Sequence, residues 1–250
     1  MAHRITKEHI LNQSKGTRDF YSDIKRSEIT LKPRTSVVSK MCSFGLGVFV
    51  RFLRNRYRQL RSSVDYGIAL IGLMFATPLF LLVGLITKLF SPGPVFYTQA
   101  RVGKDGRVFN IIKFRTMCVN AESQTGPTWT KENDTRITGF GRILRKAHLD
   151  ELPQLINVLK GEMSIIGPRP ERPYFVNTLK KEIHGYTGRL SVKPGITGLA
   201  QCYCKYDESI SDVKRKLRYD IIYIKKMCWM LDFKILWRTL NVCLLGGKPQ

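Results

Sequence analysis

Between Asp65 and Lys88 the chain runs from Tyr66 to Thr87 without a charged residue (YGIALIGLMFATPLFLLVGLIT), and Pro78 lies near the middle of that run. An apolar stretch of this length has what a bilayer-spanning helix needs, because a helix satisfies its own backbone where no water is present. Proline removes one N–H from a helix and presses on the carbonyl four residues earlier, so a sharp bend is predicted at Thr77-Pro78. The flanks are basic on both sides, with Arg51, Arg54, Arg56, Arg58 and Arg61 before and Arg101, Lys104 and Arg107 after. Basic flanks mark the cytoplasmic side of a membrane. Two topologies satisfy the pattern. In one, a helix breaks at Pro78, enters one leaflet and turns back, with Thr77 bonding a freed backbone group. The other is a simple kinked span.

The chain of 250 residues has room for one sizeable domain with an accessory segment. Its 42 Lys and Arg against 19 Asp and Glu leave a net charge of +23, which calls for an anionic partner: lipid headgroups, nucleic acid or a phosphorylated substrate. Residues 1–40 are polar and charged with no early apolar core, so they are not read as a signal peptide and are expected to contribute little ordered structure. From Met41 to Leu60 apolar residues mix with the arginine series, as in a basic helix lying on a membrane surface or a solvated one. The six cysteines show no paired C-x-x-C spacing and are read as reduced thiols of a cytosolic domain.

The densest chemistry lies in Arg145-Lys146-Ala147-His148-Leu149-Asp150-Glu151-Leu152-Pro153-Gln154. Apolar residues at 149, 152, 155, 156 and 159 follow a helical spacing, and Pro153 is tolerated only in a first turn, which predicts a helix beginning near Asp150. Taken alone, Asp-Glu at a helix start is ordinary capping. Beside cations, at a point that favours anions, it suggests chemistry on a phosphate.

Other segments supply cations and tight loops. A turn is predicted at Ser91-Pro92-Gly93-Pro94, a short strand at Val95-Phe96-Tyr97, an Asp-Gly turn over 102–107 and a strand over 108–117. That second strand carries Lys113 and Arg115 two residues apart, on one face. Residues 120–136 read as a mobile loop and 137–146 as a short helix carrying Arg142 and Arg145. Pro168 and Pro170 fix the backbone around Arg169, and the loop Lys193-Pro194-Gly195-Ile196-Thr197-Gly198 suits a close backbone approach to a ligand. Past Asp212 two helical runs follow, the second from Trp229 to Leu245, with aromatic and basic residues suited to the headgroup region. The basic residues are not interleaved with aromatics in a nucleic-acid motif, so no nucleic-acid partner is expected.

Five segments together resemble the bacterial sugar transferases, the monotopic polyprenyl-phosphate phosphoglycosyl transferases that initiate exopolysaccharide, capsule and O-antigen assembly. They are Asp65 followed by Thr77-Pro78, KFRTM (113–117), LRKAHLDELPQLINVLKGEMSIIGPRPE (144–171), KPGITGLAQ (193–201) and YDIIYIKKMCWMLDFKILWRTL (219–240). The likeness runs from about residue 60 to 246 and is greatest to the catalytic part of exopolysaccharide-type initiating hexose-1-phosphate transferases. One departure is that the family's re-entrant helix turns at Ser-Pro, whereas this chain has Thr77-Pro78.

The resemblance implies that Asp150 attacks the β-phosphate of a UDP-sugar, releasing UMP, and that the phosphosugar then passes to undecaprenyl phosphate. It implies that Glu151, with Asp150, holds Mg²⁺ or assists as a base. Lys113, Arg115, Arg145 and Arg169 would hold phosphate oxygens, and Pro194 and Gly195 would approach the nucleotide. The sugar expected is glucose or galactose phosphate. The implied fold class is α+β: a membrane re-entrant helix plus a compact cytosolic catalytic domain with short strands and amphipathic interfacial helices. The expected layout is a basic N-terminal extension (1–40), a basic amphipathic helix (41–62), the re-entrant membrane helix (63–90) and a cytosolic phosphoglycosyl transferase domain (91–246). It would sit at the bacterial inner membrane, facing the cytoplasm, among membrane lipids; oligomeric state is not legible. The competing reading is a non-catalytic basic membrane-surface scaffold or anion-binding protein.

Overall fold

The computed structural model describes residues 37–90, 92–119, 121, 134–204 and 209–245, with side chains at 56 and 57 and, within those ranges, from residue 60 to 242. Residues 1–36 of the expected extension (1–40), most of the loop at 120–136 and the segment 205–208 lie outside the described residues, and residues 37–40 are helical. The chain divides into two units, residues 1–57 with residue 250, and residues 58–249; the site lies wholly in the second.

Helix α1 (Val37–Phe90) takes in the whole uncharged run, so the boundary expected at residue 62 is not a helix boundary. Nor does Pro78 end the helix: it lies inside α1. The physical reason is that one missing N–H costs a single hydrogen bond, whereas ending the helix would strip several backbone groups in an apolar stretch. The Thr77 hydroxyl donates to the Leu73 carbonyl at 2.8 Å, a local bond that leaves the helix intact.

Both halves of residues 61–84 lie against the same body. Near the start, Asp65 accepts the Ser164 hydroxyl at 2.7 Å and the Ile165 N–H at 3.2 Å. A methyl group added at Gly72 would sit 3.2 Å from Leu155 Cδ1. Beyond Pro78, Leu79, Phe80 and Val83 pack with Phe114 and Leu144, and the Phe80 and Phe114 rings meet edge to face at 5.0 Å. The other side carries Leu70, Met74, Leu81, Leu85 and Leu89, all more than half exposed. Lipid is the natural solvent for such a face.

Strands β1 (Phe96–Val102) and β2 (Val108–Phe114) pair antiparallel from Phe96↔Phe114 to Val102↔Val108. Asp105 and Gly106, with φ of 55° and 79°, make the turn that the Asp-Gly pair predicted. The first strand is longer than expected because its polar residues, Thr98, Gln99 and Arg101, stand on a half-solvated ribbon. Helix α2 (Gly139–Lys146) is capped by Thr138, whose hydroxyl accepts the Gly141 N–H at 3.0 Å. A single 3-10 turn (Leu149–Glu151) precedes helix α3 (Gln154–Leu159). The helix predicted to begin near Asp150 therefore begins one turn later, at Gln154: the carboxylates lie in the 3-10 turn ahead of it, and Pro153 occupies the N-cap of α3. Asn157 on α3, fully buried, donates to the Asn110 carbonyl at 2.8 Å and to Glu162 at 2.7 Å and accepts the Ile112 N–H at 3.0 Å. It ties the free edge of β2 to α3.

Strands β3 (Ser164–Ile166) and β4 (Gly195–Thr197) form a parallel pair. Between them run helix α4 (Pro173–Glu182) and a 3-10 segment (Tyr186–Ser191). Helices α5 (Leu199–Tyr203), α6 (Ile210–Lys226) and α7 (Trp229–Leu245) complete the chain. Val102, Val176, Leu179, Ile183, Tyr186, Val213 and Leu217 form the main apolar core of this region. On α7, Met230, Phe233, Trp237 and Leu240 form an exposed stripe, while Asp232 and Ile235 are buried. Among the described residues Cys118, Cys202, Cys204 and Cys228 are free thiols, as the spacing predicted.

Gly141 offers a test of how tightly α2 is seated. A methyl there would lie 2.1 Å from the Thr116 carbonyl oxygen, whereas one at Gly139 would meet nothing within 4 Å. Gly141→Ala is expected to lower unfolding stability by about 1–3 kcal/mol, and Gly139→Ala to stay within about 1 kcal/mol of wild type. Equal melting shifts for the two would show that α2 is not held against residue 116 as described.

Candidate active site

Three elements bring charge to one place. The 3-10 turn presents Asp150 and Glu151, β2 presents Lys113, and the Gly167-Pro168-Arg169 segment leaving β3 presents Arg169. Glu151 accepts Lys113 Nζ at 2.9 Å on Oε1 and Arg169 Nη1 at 3.1 Å on Oε2, and Arg169 Nη2 also donates to Oε1. The arginine grips the carboxylate with two nitrogens while the lysine adds a point charge.

The two acids are not equivalent. Burial by itself raises the Glu151 carboxyl, but Arg169 and Lys113 outweigh it and hold the group well below the usual glutamate range. Asp150, 7% exposed, receives no hydrogen bond or ion pair among the described residues. Burial, reinforced by the neighbouring Glu151 charge, pushes its carboxyl up, against the pull of Lys113, Arg145 and Arg169. Burial pushes the Lys113 ammonium down, against Glu151. The result is one carboxylate locked in an ion clamp and a second beside it whose oxygens are uncommitted. His148, at φ 55°, takes the left-handed conformation that swings the chain from α2 into the 3-10 turn.

The remaining predicted residues divide. Arg145 lies near enough to act on Asp150 by its charge and donates through Nε to the buried Thr116 hydroxyl at 2.8 Å. Arg115 does not join the carboxylates; it is buried and donates to the Pro92 carbonyl at 2.9 Å, holding the turn that follows α1. Alternation puts Lys113 and Arg115 on one side of an ideal strand, but β2 ends at Phe114 and the Arg115 guanidinium is taken by the Pro92 carbonyl. Pro194 and Gly195 are buried, and the Gly195 N–H, expected to face a ligand, donates instead to the Pro168 carbonyl at 3.0 Å. A methyl at Gly195 would lie 2.0 Å from the Gly167 nitrogen, so the glycine serves a close contact between the two loops.

That contact belongs to a larger arrangement. The carbonyls of Pro168, Arg169, Pro170 and Glu171 accept, in turn, from the Gly195 N–H at 3.0 Å, Arg189 Nη2 at 2.9 Å, Arg101 Nη1 at 3.0 Å and the Val102 N–H at 2.8 Å. Arg101, Arg189, Thr116 and Asn157 were not singled out from the sequence as site residues. A charged residue on an apolar helix face was the legible clue to one further participant: Asp220 falls in the α6 series 213, 217, 220, 224.

Carboxylates and cations gathered beside an exposed apolar helix face make a charged cluster able to receive an anionic group. Residues 56–246 match the family model described as bacterial sugar transferase. The chain is 43% identical over 190 residues to the UDP-N-acetylgalactosamine-undecaprenyl-phosphate N-acetylgalactosaminephosphotransferase of Aeromonas hydrophila, covering 76% of this chain and 45% of that protein. It is 44% identical over 186 residues to the UDP-glucose:undecaprenyl-phosphate glucose-1-phosphate transferase of Xanthomonas campestris pv. campestris, covering 74% and 38%. It is 36% identical over 213 residues to the galactosyl transferase CpsE of Streptococcus agalactiae, covering 79% and 45%. The chain thus spans less than half the length of each of these relatives.

The ion clamp makes a stability prediction. Lys113→Met removes one cation from a largely buried carboxylate and is expected to cost about 1–3 kcal/mol in unfolding experiments. Adding Glu151→Gln should recover part of that loss, because the unpaired charge goes with it. Additive losses in the double variant would contradict the clamp.

Proposed function

The chain belongs to the bacterial sugar transferase family, and on that premise we propose that it transfers a hexose-1-phosphate from a UDP-sugar to undecaprenyl phosphate. An Asp150 carboxylate oxygen attacks the β-phosphorus, the bridging P–O bond breaks, and UMP leaves. A phosphate oxygen of the lipid acceptor then attacks the same phosphorus. That step frees the Asp150 carboxylate and forms a polyprenyl diphosphate sugar. The observation that carries this reading is the asymmetry of the acid pair: Glu151 is fully engaged, while Asp150 is buried, unpartnered and surrounded by cations. Aspartate is a competent covalent nucleophile toward phosphorus, and its desolvation keeps competing water away.

Lys113, Arg145 and Arg169 supply positive charge where the transferring phosphoryl group gains negative charge. Arg169, whose side chain is 42% exposed, is the clamp member that faces outward and so the one placed to share itself between Glu151 and a substrate phosphate. Mg²⁺ fits the donor set as an ion shared with substrate: Asp150 and Glu151 are adjacent carboxylates, and magnesium is commonly held by one or two carboxylates plus phosphate oxygens. Bound there it would neutralise diphosphate charge; Glu151 would have to release one of its cations to join it.

The donor sugar proposed is glucose or galactose phosphate. The relatives named for N-acetylgalactosamine and for glucose are almost equally similar to this chain, so the choice needs a substrate panel. UMP release, measured with reconstituted protein, Mg²⁺ and undecaprenyl phosphate, is expected from one or two UDP-sugars. Asp150→Asn should lower it at least ~10³-fold. Release that survives the substitution removes Asp150 as nucleophile, and no release from any donor favours the non-catalytic scaffold.

The membrane topology proposed is re-entrant, with the catalytic domain on the cytoplasmic face of the bacterial inner membrane. Its support is that both the Arg61 end of the apolar helix and the stretch beyond Pro78 touch one and the same body. A helix that crossed the bilayer would carry one of those ends away. The exposed α7 stripe gives a second lipid-facing surface. In a cysteine-free background, Ser62→Cys and Lys88→Cys are both expected to resist a membrane-impermeant maleimide in intact cells and both to react in inverted vesicles. Labelling of either from outside the cell establishes a span.

A further inference from the structure

We propose that Arg189 and Asp220 are positioning residues for Arg169, a role that rests on the reading of Arg169 as the cation shared with the substrate phosphate. Pro168 and Pro170 have no N–H, so the segment around Arg169 is held chiefly by its carbonyls. Two of the four are held by backbone amides and two by arginines. The bond from Arg189 goes to Arg169 itself, and thereby sets the peptide plane from which the Arg169 side chain departs.

Arg189 is well placed for that task. It is 8% exposed, its Nη1 donates to the Tyr186 hydroxyl at 3.0 Å, and its guanidinium lies over the Tyr186 ring at 5.4 Å. Asp220, 2% exposed on α6, lies 2.9 Å from Arg189 Nη2. Asp220 holds Arg189 chiefly as charge on charge. A buried guanidinium without its counter-ion is costly and moves toward water or another anion. The nearest alternative, Glu171, is already paired with Arg101 at 3.6 Å. Without Asp220, Arg189 keeps the Tyr186 hydroxyl and ring but loses its counter-ion, and its donation to the Arg169 carbonyl weakens. The chain of action is therefore Asp220 to Arg189 to the Arg169 peptide to the Arg169 guanidinium to Glu151. Asp220 touches neither acid, so it is not a catalytic residue.

The test uses Asp220→Asn, which keeps shape and removes charge, with Asp220→Glu and Arg189→Lys as companions should the first melt below the assay temperature. In reconstituted protein carrying ¹⁵N-arginine, the Nε–H resonance of Arg169, identified by its loss in Arg169→Lys, is expected to shift and broaden in Asp220→Asn and Arg189→Lys and to return toward wild type in Asp220→Glu. UMP release should fall about 10-fold in Asp220→Asn, and by less than 2-fold when the same change is made in Arg169→Ala. An unmoved Arg169 resonance, or equal losses in both backgrounds, overturns the positioning role and leaves the transferase reading intact. A resonance that responds in a protein releasing no UMP from any donor overturns the transferase reading and supports the positioning role.

Discussion

Glu151, held between Lys113 and Arg169, joins three stretches of chain that share no hydrogen-bonded ladder: β2, the 3-10 turn after α2, and the proline-framed segment after β3. One carboxylate with two cations leaves a net positive site, and Asp150 is the group left to answer it. Burial raises the cost of charge on Asp150 while the surrounding cations offset it. That balance is what fits Asp150 for the role of nucleophile proposed for it.

The apolar helix takes part in this arrangement as well as in anchoring. Arg61 donates to the Ser164 hydroxyl and the Ile166 carbonyl, and Asp65 accepts from Ser164 and Ile165. Those residues are β3, which runs directly into Gly167, Pro168 and Arg169. Asp232 at the start of α7 lies 4.0 Å from Arg61 and accepts the Tyr223 hydroxyl at 2.8 Å, drawing the second lipid-suited helix to the same point. The exposed apolar helices and the acid site thus share one strand as a common support. The transfer proposed above, from a water-soluble donor to a lipid-borne acceptor, needs that kind of registry.

Much of the local structure was legible. The Asp-Gly turn, the strand carrying Lys113, the helix at 229–245 and the grouping of Asp150, Glu151, Lys113 and Arg169 follow from spacing and motif. The two departures at the site share one cause, a bond made to a backbone carbonyl elsewhere in the chain. Arg115 parts from Lys113 because its side chain is captured by Pro92, and Gly195 turns from ligand to framework because Pro168 takes its amide. Glycine and proline patterns show that a loop is tight, but not whether its amides face a ligand or another loop.

By itself the sequence determined the apolar helix, the periodic faces of α6 and α7, the paired acids and the family to which the chain belongs. These are properties of short spacing and residue chemistry, written within a few turns of chain. Tertiary structure alone decided that Pro78 leaves α1 unbroken, which acid is clamped and which is uncommitted, and that Asp220 and Arg189 stand behind Arg169. The first is a balance of local backbone bonds; the others depend on partners far apart in the chain, on burial and on the direction of a particular carbonyl, none of which has a period that a sequence can display.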